Sequence, residues 1–218
     1  MKMLVACEFS GIVREAFAKK GWDAWSCDLL PTEIPSEKHI QDDVLKHLDS
    51  GWDLMIAHPP CTYLSYVAIR HWNKEGRKEL RDKAMEFFMA LINAPIKKIC
   101  VENPVGLPNT DYRKPDQIIH PYYFGEPVQK RTCLWLKNLP KLEFSKTIIE
   151  KPKPLYRLST TGKAINWVEG IKGTKNRSQE RSRTFQKIAD AMAEQWGNEV
   201  KGAIPPNAKA LGILAPIL

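Results

Sequence analysis

Short apolar runs alternate with amphipathic segments through the first two thirds of the chain. The runs are too short for helices, so they predict buried strands, whereas apolar positions repeated every three to four residues predict helices. In chain order the predicted elements are the strand Met3–Cys7, the helix Gly11–Lys20, the strand Trp22–Cys27, the helix Asp42–Leu48, the strand Asp53–Ala57, the helix Lys78–Asn93 and the strand Lys98–Glu102. Because strands joined by helical crossovers pair in parallel, the pattern predicts an α/β fold with a doubly wound, mostly parallel sheet covered by helices on both faces.

The remainder of the chain follows a different pattern. Residues 121–136 are aromatic and β-prone, the next residues are basic and interrupted by Pro and Gly, and an amphipathic helix is predicted from Glu180 to Trp196. In the two longest helices we expect these side chains to be buried: Leu80, Ala84, Phe87, Phe88, Leu91, Phe185, Ile188, Ala189, Met192 and Trp196. We expect four parts: a core over 1–136, a separate segment over 137–179, a helix over 180–198 that packs back on the core, and a flexible tail over 199–218.

Length and cysteine content narrow the class of protein. A chain of 218 residues fits one domain with a small appendage. Its five cysteines are odd in number and show no disulfide-framework spacing, which favours a reducing compartment. The first apolar run is too short for a signal peptide, and no later run has the length of a membrane span. We therefore expect a soluble cytoplasmic protein without a membrane partner.

Positive charge is concentrated in one part of the sequence. The formal net charge is +8. Residues 137–183 contain twelve basic and four acidic residues, so this stretch carries the whole excess. Tyr156 and Trp167 lie among its cations, and stacking side chains among positive charges favour a surface that follows phosphates. A solvated, lysine-rich linker is the alternative interpretation.

Cys61 is the candidate nucleophile. It follows the apolar strand that ends at Ala57, after the sequence His58-Pro59-Pro60. Two prolines remove two N–H donors, so the strand cannot continue and the next side chain is presented at the carboxyl end of the sheet, where α/β proteins bind ligands. The other four cysteines lie inside apolar runs and are interpreted as core. The sequence has no zinc-type Cys-x-x-Cys spacing, so we expect no metal site.

Four further positions follow predicted strands or open helices. Glu8-Phe9-Ser10-Gly11 forms a turn after the first strand, where we expect free N–H groups of the next helix to face a ligand. Asp28 closes the second strand and is placed to accept hydrogen bonds from ribose hydroxyls. Asp43 opens a short helix, and from its position alone an ordinary helix cap is the favoured interpretation. Glu102, with Asn103, ends the strand expected beside the one that leads to Cys61.

At this point the sequence resembles the DNA cytosine-5 methyltransferases, which use S-adenosylmethionine. The similarity extends from Met3 to about Leu136, with a weaker echo from Arg183 to Trp196. It rests on three motifs in order, which are Pro59-Pro60-Cys61 with Ser65, then Glu102-Asn103, then Gln129-Lys130-Arg131, which is similar to the family's Gln-x-Arg-x-Arg strand. The resemblance implies the Rossmann-like methyltransferase fold and a short member of the family with a reduced target-recognition region.

The resemblance also implies roles for individual residues. Cys61 would attack carbon 6 of cytosine, Glu102 would hold or donate a proton at N3, and Arg131 would contact the base carbonyl. The S-adenosylmethionine site, which releases S-adenosylhomocysteine and needs no metal, would comprise Phe9, Ser10, Gly11, Asp28, Leu29, Asp43 and Pro59. The DNA contacts would comprise Ser65, Arg70, Trp72, Arg77, Gln129, Lys130, Arg157 and Trp167.

The implied partner is double-stranded DNA, and we expect a monomer of phage or mobile-element type that recognises a short sequence. The segment Tyr66–Arg77 is interpreted as a closing lid, or alternatively as a surface loop. Two departures from the family pattern stand out: Cys133 replaces the second arginine, and Ser182-Arg183-Thr184 replaces Gly-Asn-Ser. Methylation of RNA or of a free cytosine nucleotide is one alternative function, and a catalytically weak DNA-binding protein of the same fold is another.

Overall fold

The structure is a computed structural model that describes residues 1–66, 69, 72–144, 150–162, 164–165, 170 and 177–200. Single turns of 3₁₀ or π geometry lie at Val44–His47, Pro108–Tyr112 and Pro121–Phe124. The helices and strands are β1 (Lys2–Ala6), α1 (Ile12–Ala18), β2 (Asp23–Asp28), β3 (His39–Gln41), β4 (Leu54–Ala57), α2 (Arg77–Ile92), β5 (Lys98–Asn103), β6 (Gln117–Ile119), β7 (Thr132–Lys137), β8 (Tyr156–Arg157), β9 (Ala164–Ile165), α3 (Arg177–Ser182) and α4 (Gln186–Val200).

Seven strands form one sheet in the order β3-β2-β1-β4-β5-β7-β6. The strands from β3 to β5 are parallel, and β7 runs antiparallel to both of its neighbours. This confirms the predicted α/β fold with a doubly wound, mostly parallel sheet. The strand order reverses between β1 and β4, because the chain adds strands on one side of β1 and then on the other. Doubly wound sheets bind ligands at such a switch point, outside the carboxyl ends of the strands.

Buried side chains form one cluster on each face of the sheet. On one face α1 and α4 pack against the strands through Phe17, Met192 and Trp196. On the other face α2 packs through Phe88 and Leu91. Alternate residues of each strand point to opposite faces, so Glu102 lies on the α1/α4 side while Asn103 lies on the α2 side. The two faces therefore supply different side chains to the carboxyl edge of the sheet.

The structure corrects three details of the helix predictions. The C-terminal helix does not begin at Glu180, because Ser182 Oγ donates to the Gln179 carbonyl (2.8 Å) and ends the separate helix α3. The helix α4 begins only at Gln186, and its predicted buried stripe is confirmed from Ile188 to Trp196. Leu80, predicted to be buried in α2, is 39% exposed because it lies in the first turn, beyond the edge of the sheet.

Two further corrections concern strands. Strand β3 was not predicted, since its sequence His-Ile-Gln lacks an apolar pattern. It pairs with β2, and its His39 imidazole is hydrogen-bonded to Ser26 Oγ (2.9 Å). Cys7, predicted to lie inside the first strand and in the core, instead follows β1 with a left-handed φ of 59° and is only partly buried. The reversal of direction at Cys7 turns its side chain toward the crevice.

The predicted segment 137–179 begins with residues that pack on the core. Leu142 is buried against the α1/α4 face, and its main chain forms two hydrogen bonds of 2.8 Å with the Gln117 side chain. Further along, β8 and β9 form a small antiparallel hairpin. Among the described residues no helix is long and apolar enough to cross a membrane. The predicted tail 199–218 lies almost entirely outside the described residues.

Candidate active site

The carboxyl ends of β1 and β4 meet at the reversal point of the sheet. After β4, the His58 N–H donates to the Ala6 carbonyl (2.9 Å), which holds the chain leaving β4 against the end of β1. After β1, the Glu8 N–H donates to the Cys27 carbonyl (3.2 Å) on the other side. Cys7, Glu8 and His58 therefore lie together where the topology predicts a ligand.

Glu8 occupies the N-terminus of α1. Its carboxylate accepts hydrogen bonds from the N–H groups of Val13 (2.7 Å) and Arg14 (3.2 Å), and from Ser10 Oγ (3.3 Å). Burial raises the pKa of Glu8, and these N–H donors oppose that rise. The expectation that this helix offers free N–H groups to a ligand is therefore wrong, because an internal carboxylate satisfies them.

Gly11 has the geometry that the turn requires. Its φ of 75° lies in the left-handed region, which glycine adopts without strain. A Cβ at this position would lie 2.9 Å from Arg14 Nη2 and 3.2 Å from Ile34 Cβ. The guanidinium of Arg14 is itself buried, and it donates to Ser26 Oγ (2.9 Å) and the Ile34 carbonyl (2.7 Å). The turn is therefore built directly on a fixed arginine.

The predicted adenosine residues lie along the ends of β2 and β3. Asp28 ends β2, its Oδ1 accepts the Leu30 N–H (2.9 Å), and burial raises its pKa. Leu29 is 72% exposed beside it. Asp43 caps the following turn by accepting the Leu45 N–H (3.0 Å), which is the ordinary capping geometry. The charges of both aspartates contribute to raising the pKa of Cys7, after its burial, so the carboxylates lie near that thiol.

Cys61 is placed by a turn that the next strand holds. The carbonyl of buried Pro59 accepts a hydrogen bond from Asn103 Nδ2 (2.8 Å) at the end of β5. The Cys61 carbonyl accepts the N–H groups of Leu64 (3.2 Å) and Ser65 (2.9 Å). This turn packs against Gly106, where an added Cβ would lie only 2.0 Å from the Leu64 carbonyl oxygen. The backbone around Cys61 is therefore constrained from both sides.

The Cys61 side chain remains accessible at the edge of the site. The protein around the thiol nevertheless displaces water, and this desolvation, followed by the charge of Glu102, raises the pKa of Cys61. The charges of Lys130 and Arg181 act in the opposite direction. Cys61 is therefore a thiol rather than a thiolate in the free protein, and Glu102 is close enough to influence its ionisation.

Glu102 forms a buried pair with His58. The distance between His58 Nδ1 and Glu102 Oε2 is 2.7 Å, and the two side chains are 8% and 13% exposed. Burial would raise the pKa of Glu102, but the hydrogen bond from His58 and the charge of Lys130 outweigh it and hold the pKa below its ordinary value. We take Glu102 as ionised, with the proton on His58 Nδ1.

Two adjoining clefts open at this edge of the sheet, and His58 and Thr184 line both. The first cleft has an empty volume of about 280 Å³ and is lined by Cys7, Glu8, Phe9, Ser10, His58, Ser182, Arg183 and Thr184. The second cleft has an empty volume of about 250 Å³ and is lined by His58, Glu102, Lys130, Thr132, Thr184, Phe185, Ile188 and Met192.

Lys130, not Arg131, is the basic residue of the second cleft. Lys130 Nζ donates to the Arg181 carbonyl (3.1 Å) and lies 5.7 Å from the centre of the Phe185 ring. Arg131 is exposed just before β7. Its neighbour Cys133 is buried on the α2 face and accepts a hydrogen bond from Asn109 Nδ2 (3.7 Å). Gln129 is partly buried and lines neither cleft.

The predicted DNA contacts are spread around the site. Buried Ser65 lies in the Cys61 turn, and the Arg77 guanidinium lies 5.1 Å from the centre of the Tyr63 ring. Trp72 packs between the Tyr66 ring (5.4 Å) and the Arg81 guanidinium (4.8 Å). Arg157 is exposed on the small hairpin and donates to the Gly162 carbonyl (3.0 Å). Arg70 and Trp167 lie outside the described residues.

Sequence reasoning assigned no role to His58 or Glu8. His58 was visible as a titratable residue directly after an apolar strand, and that position is a signal in its own right. Glu8 follows β1 in the same way, but its use as an internal cap depends on the path of the backbone. Among the described residues no group of three or more His, Cys, Asp or Glu side chains could hold a metal ion.

Comparisons with known proteins add little to this picture. No family model matches the sequence, and no curated protein matches it. A solved structure of a candidate DNA modification methyltransferase encoded within a prophage (E. coli) is similar to 66% of this chain, with 18% identity and a TM-score of 0.42. The chain spans about half of that protein, since 49% of it is covered.

Proposed function

We propose that this protein transfers a methyl group from S-adenosylmethionine to carbon 5 of cytosine in DNA, through a covalent bond between Cys61 and carbon 6. The observation that carries the proposal is the linkage of the two motifs at adjacent strand ends. Asn103 Nδ2 holds the Pro59 carbonyl at 2.8 Å, and Glu102 Oε2 lies 2.7 Å from His58. The turn that carries the Cys61 thiol and the strand end that carries the Glu102 carboxylate are thereby linked, and the charge of Glu102 acts on Cys61, which supports the two groups acting on one base.

The chemistry needs both groups because carbon 5 of cytosine is a weak nucleophile. Addition of the Cys61 sulfur to carbon 6 converts the ring to an enamine, and the proton lost by the thiol is balanced by one gained at N3. Glu102 uses one oxygen to hold His58, which leaves the other for the base. Lys130 places a positive charge beside Glu102 and Cys61, where it opposes the build-up of negative charge in this step.

The side chains in and around the first cleft are of the types that S-adenosylmethionine needs. Phe9 lines the cleft with an aromatic ring, and the carboxylates of Asp28 and Asp43, which lie near Cys7 outside the cleft lining, would accept from the hydroxyl and amino groups of an adenosine. The exposed Leu29 side chain extends the apolar surface. When bound, this cofactor supplies an electrophilic methyl group on a positively charged sulfur. Because Glu8 already occupies the N-terminus of α1, we assign the polar contacts with the amino-acid part of the cofactor to Ser10 and Thr184.

A duplex substrate is supported by the distribution of charge. Residues 137–183 hold the entire net positive charge of the chain, and Arg157 is exposed on their hairpin. Arg77 borders the Cys61 turn through its contact with Tyr63. Exposed cations of this kind are suited to hold the phosphates that flank a flipped base. RNA and free deoxycytidine monophosphate are the alternative acceptors.

Transfer of a radiolabelled methyl group to duplex DNA, RNA and deoxycytidine monophosphate tests the proposal. We expect incorporation into DNA alone, at carbon 5 of cytosine by mass spectrometry of the nucleosides. The variant Cys61→Ser should lose at least about 10³-fold in turnover, the scale typical of a lost covalent nucleophile. The matched control Cys133→Ser should retain activity, because that thiol is buried in the core and lines neither cleft. Transfer by Cys61→Ser at the wild-type rate would overturn the mechanism.

A further inference from the structure

His58 carries a nitrogen that the protein itself does not satisfy. The imidazole side chain is 8% exposed, and its Nδ1 is engaged by Glu102 at 2.7 Å. Its Nε2 is buried and has no hydrogen-bond partner among the described residues. Buried polar atoms in folded proteins are nearly always paired, so an unpaired ring nitrogen at a cleft calls for an external partner.

The position of His58 indicates where that partner lies. The residue lines both clefts, and it precedes the Cys61 turn by two prolines. The charged groups that face it come from four parts of the chain: Glu8 after β1, Glu102 on β5, Lys130 before β7 and Arg183 after α3. His58 therefore lies between the cleft assigned to the methyl donor and the cleft that contains Glu102.

The proposed reaction contains a step for which no base has yet been named. After methyl transfer, carbon 5 carries both the new methyl group and its original hydrogen, and that hydrogen must leave as a proton. The other polar groups that line the clefts are poorer candidates for a base, since burial raises the pKa of the Cys7 thiol, Arg183 is a cation and serine hydroxyls are weak bases. Glu8 accepts from two N–H groups, Lys130 donates to the Arg181 carbonyl, and the Thr132 and Thr184 hydroxyls are weak bases.

We propose that His58 is the catalytic base that removes the carbon 5 proton, an inference that rests on the cytosine-5 activity proposed above. With Nδ1–H donated to ionised Glu102, the lone pair of Nε2 is free to accept a proton. The electron pair of the C5–H bond then forms the C5–C6 double bond, and the C6–S pair leaves with the Cys61 sulfur. The N3 proton returns through Glu102 to the expelled Cys61 thiolate, and the imidazolium passes its proton to solvent.

Glu102 supports this step in the way that an acidic residue supports a catalytic histidine in a hydrolase triad. It selects the tautomer with hydrogen on Nδ1 and stabilises the imidazolium that forms. Glu8 also lies close enough to His58 for the two to interact, because the charge of His58 opposes the rise that burial causes in the pKa of Glu8. This arrangement separates the roles of the two acid–base groups, because Glu102 serves N3 while His58 serves carbon 5.

The substitution His58→Asn tests the assignment, because its amide can replace the Nδ1–H donor to Glu102 but has no basic nitrogen. On duplex DNA with ordinary cytosine we expect a burst of about one methyl group per enzyme, followed by turnover at least about 100-fold slower than wild type. The stalled enzyme should remain covalently attached to methylated DNA on a denaturing gel. Added imidazole should restore part of the turnover.

Controls separate this inference from the proposed function. His58→Gln is the second variant, and thermal melting and calorimetric binding of S-adenosylmethionine show which variants are folded. A slowed burst without a trapped adduct would overturn the base role and leave His58 as a positioning residue for Glu102. Unchanged turnover in either folded variant would overturn it as well. If wild type itself transfers no methyl group to any nucleic acid, the proposed function fails first and the inference fails with it.

Discussion

The hydrogen bond from Asn103 to Pro59 offers a direct test of how the Cys61 turn is held. Replacing Asn103 by leucine removes the 2.8 Å contact at similar side-chain volume and leaves the Pro59 carbonyl without its donor. An unsatisfied buried group costs about 1–3 kcal/mol. Asn103 Oδ1 is itself buried without a partner among the described residues, so its removal offsets part of that cost. We expect a net loss of about 1–2 kcal/mol.

This loss corresponds to a fall of roughly 2–8 °C in melting temperature for a chain of this size. The effect on catalysis should be larger, because displacing a reacting group by about 1 Å can cost about 100-fold in rate. Single-turnover methyl transfer measures the rate, and calorimetry should show unchanged affinity for S-adenosylmethionine. The surface variant Asn198→Leu, which loses only an exposed contact to Glu194, is the control. A wild-type rate and melting temperature for Asn103→Leu would refute the reasoning.

The remaining predictions concern the site and its electrostatics. Glu102→Gln should lower single-turnover methyl transfer by about 10²-fold or more, and a loss below tenfold would contradict its role as an acid–base group. Asp28→Ala and Asp43→Ala should each weaken S-adenosylmethionine binding in calorimetry without altering the DNA sequence preference, and the second should also melt earlier through loss of its cap. Binding to DNA should weaken with salt at a log–log slope of about −0.9 per neutralised phosphate. If Arg157→Ala changes only that slope, bisulfite sequencing will show an unchanged flanking preference and the residue contacts phosphate. Because the pKa of Cys61 is raised, its thiolate should form only at a pH above the ordinary thiol pKa near 8.5. The rate of alkylation by iodoacetamide should therefore still be increasing as the pH passes that value. A rate already maximal at pH 7 would contradict the desolvated thiol.

Most of the fold could be predicted because it depends on local patterns. The strands β1, β2, β4 and β5 lie within one or two residues of their predicted bounds, since buried parallel strands have largely apolar centres. Strand β3 could not be predicted from pattern, because three largely polar residues become a strand only through the edge of β2. The break before α4 likewise depends on tertiary contacts, including the ion pair between Arg183 and Glu33.

The candidate site was predictable only in part, and the limit has a physical cause. Sequence motifs place Cys61 and Glu102 at strand ends, but they do not state which neighbouring side chain reaches Glu102. His58 and Glu102 are 44 positions apart and meet because β4 pairs with β5 in register. Lys130 reaches the cleft instead of Arg131 because successive residues entering β7 point to opposite faces. Such contacts follow from register, which the motifs alone do not contain.

The internal cap formed by Glu8 has a consequence for ligand selectivity. Nucleotide-binding crevices of this topology commonly grip a diphosphate with the exposed N–H groups of the first helix. Here Val13 and Arg14 give those hydrogens to the Glu8 carboxylate. The diphosphate of a dinucleotide such as NAD would meet a hydrogen-bond acceptor where it needs donors. A ligand that carries a positive centre instead of a diphosphate would meet no such conflict. The same crevice that serves redox cofactors in other proteins is thereby closed to them by one carboxylate.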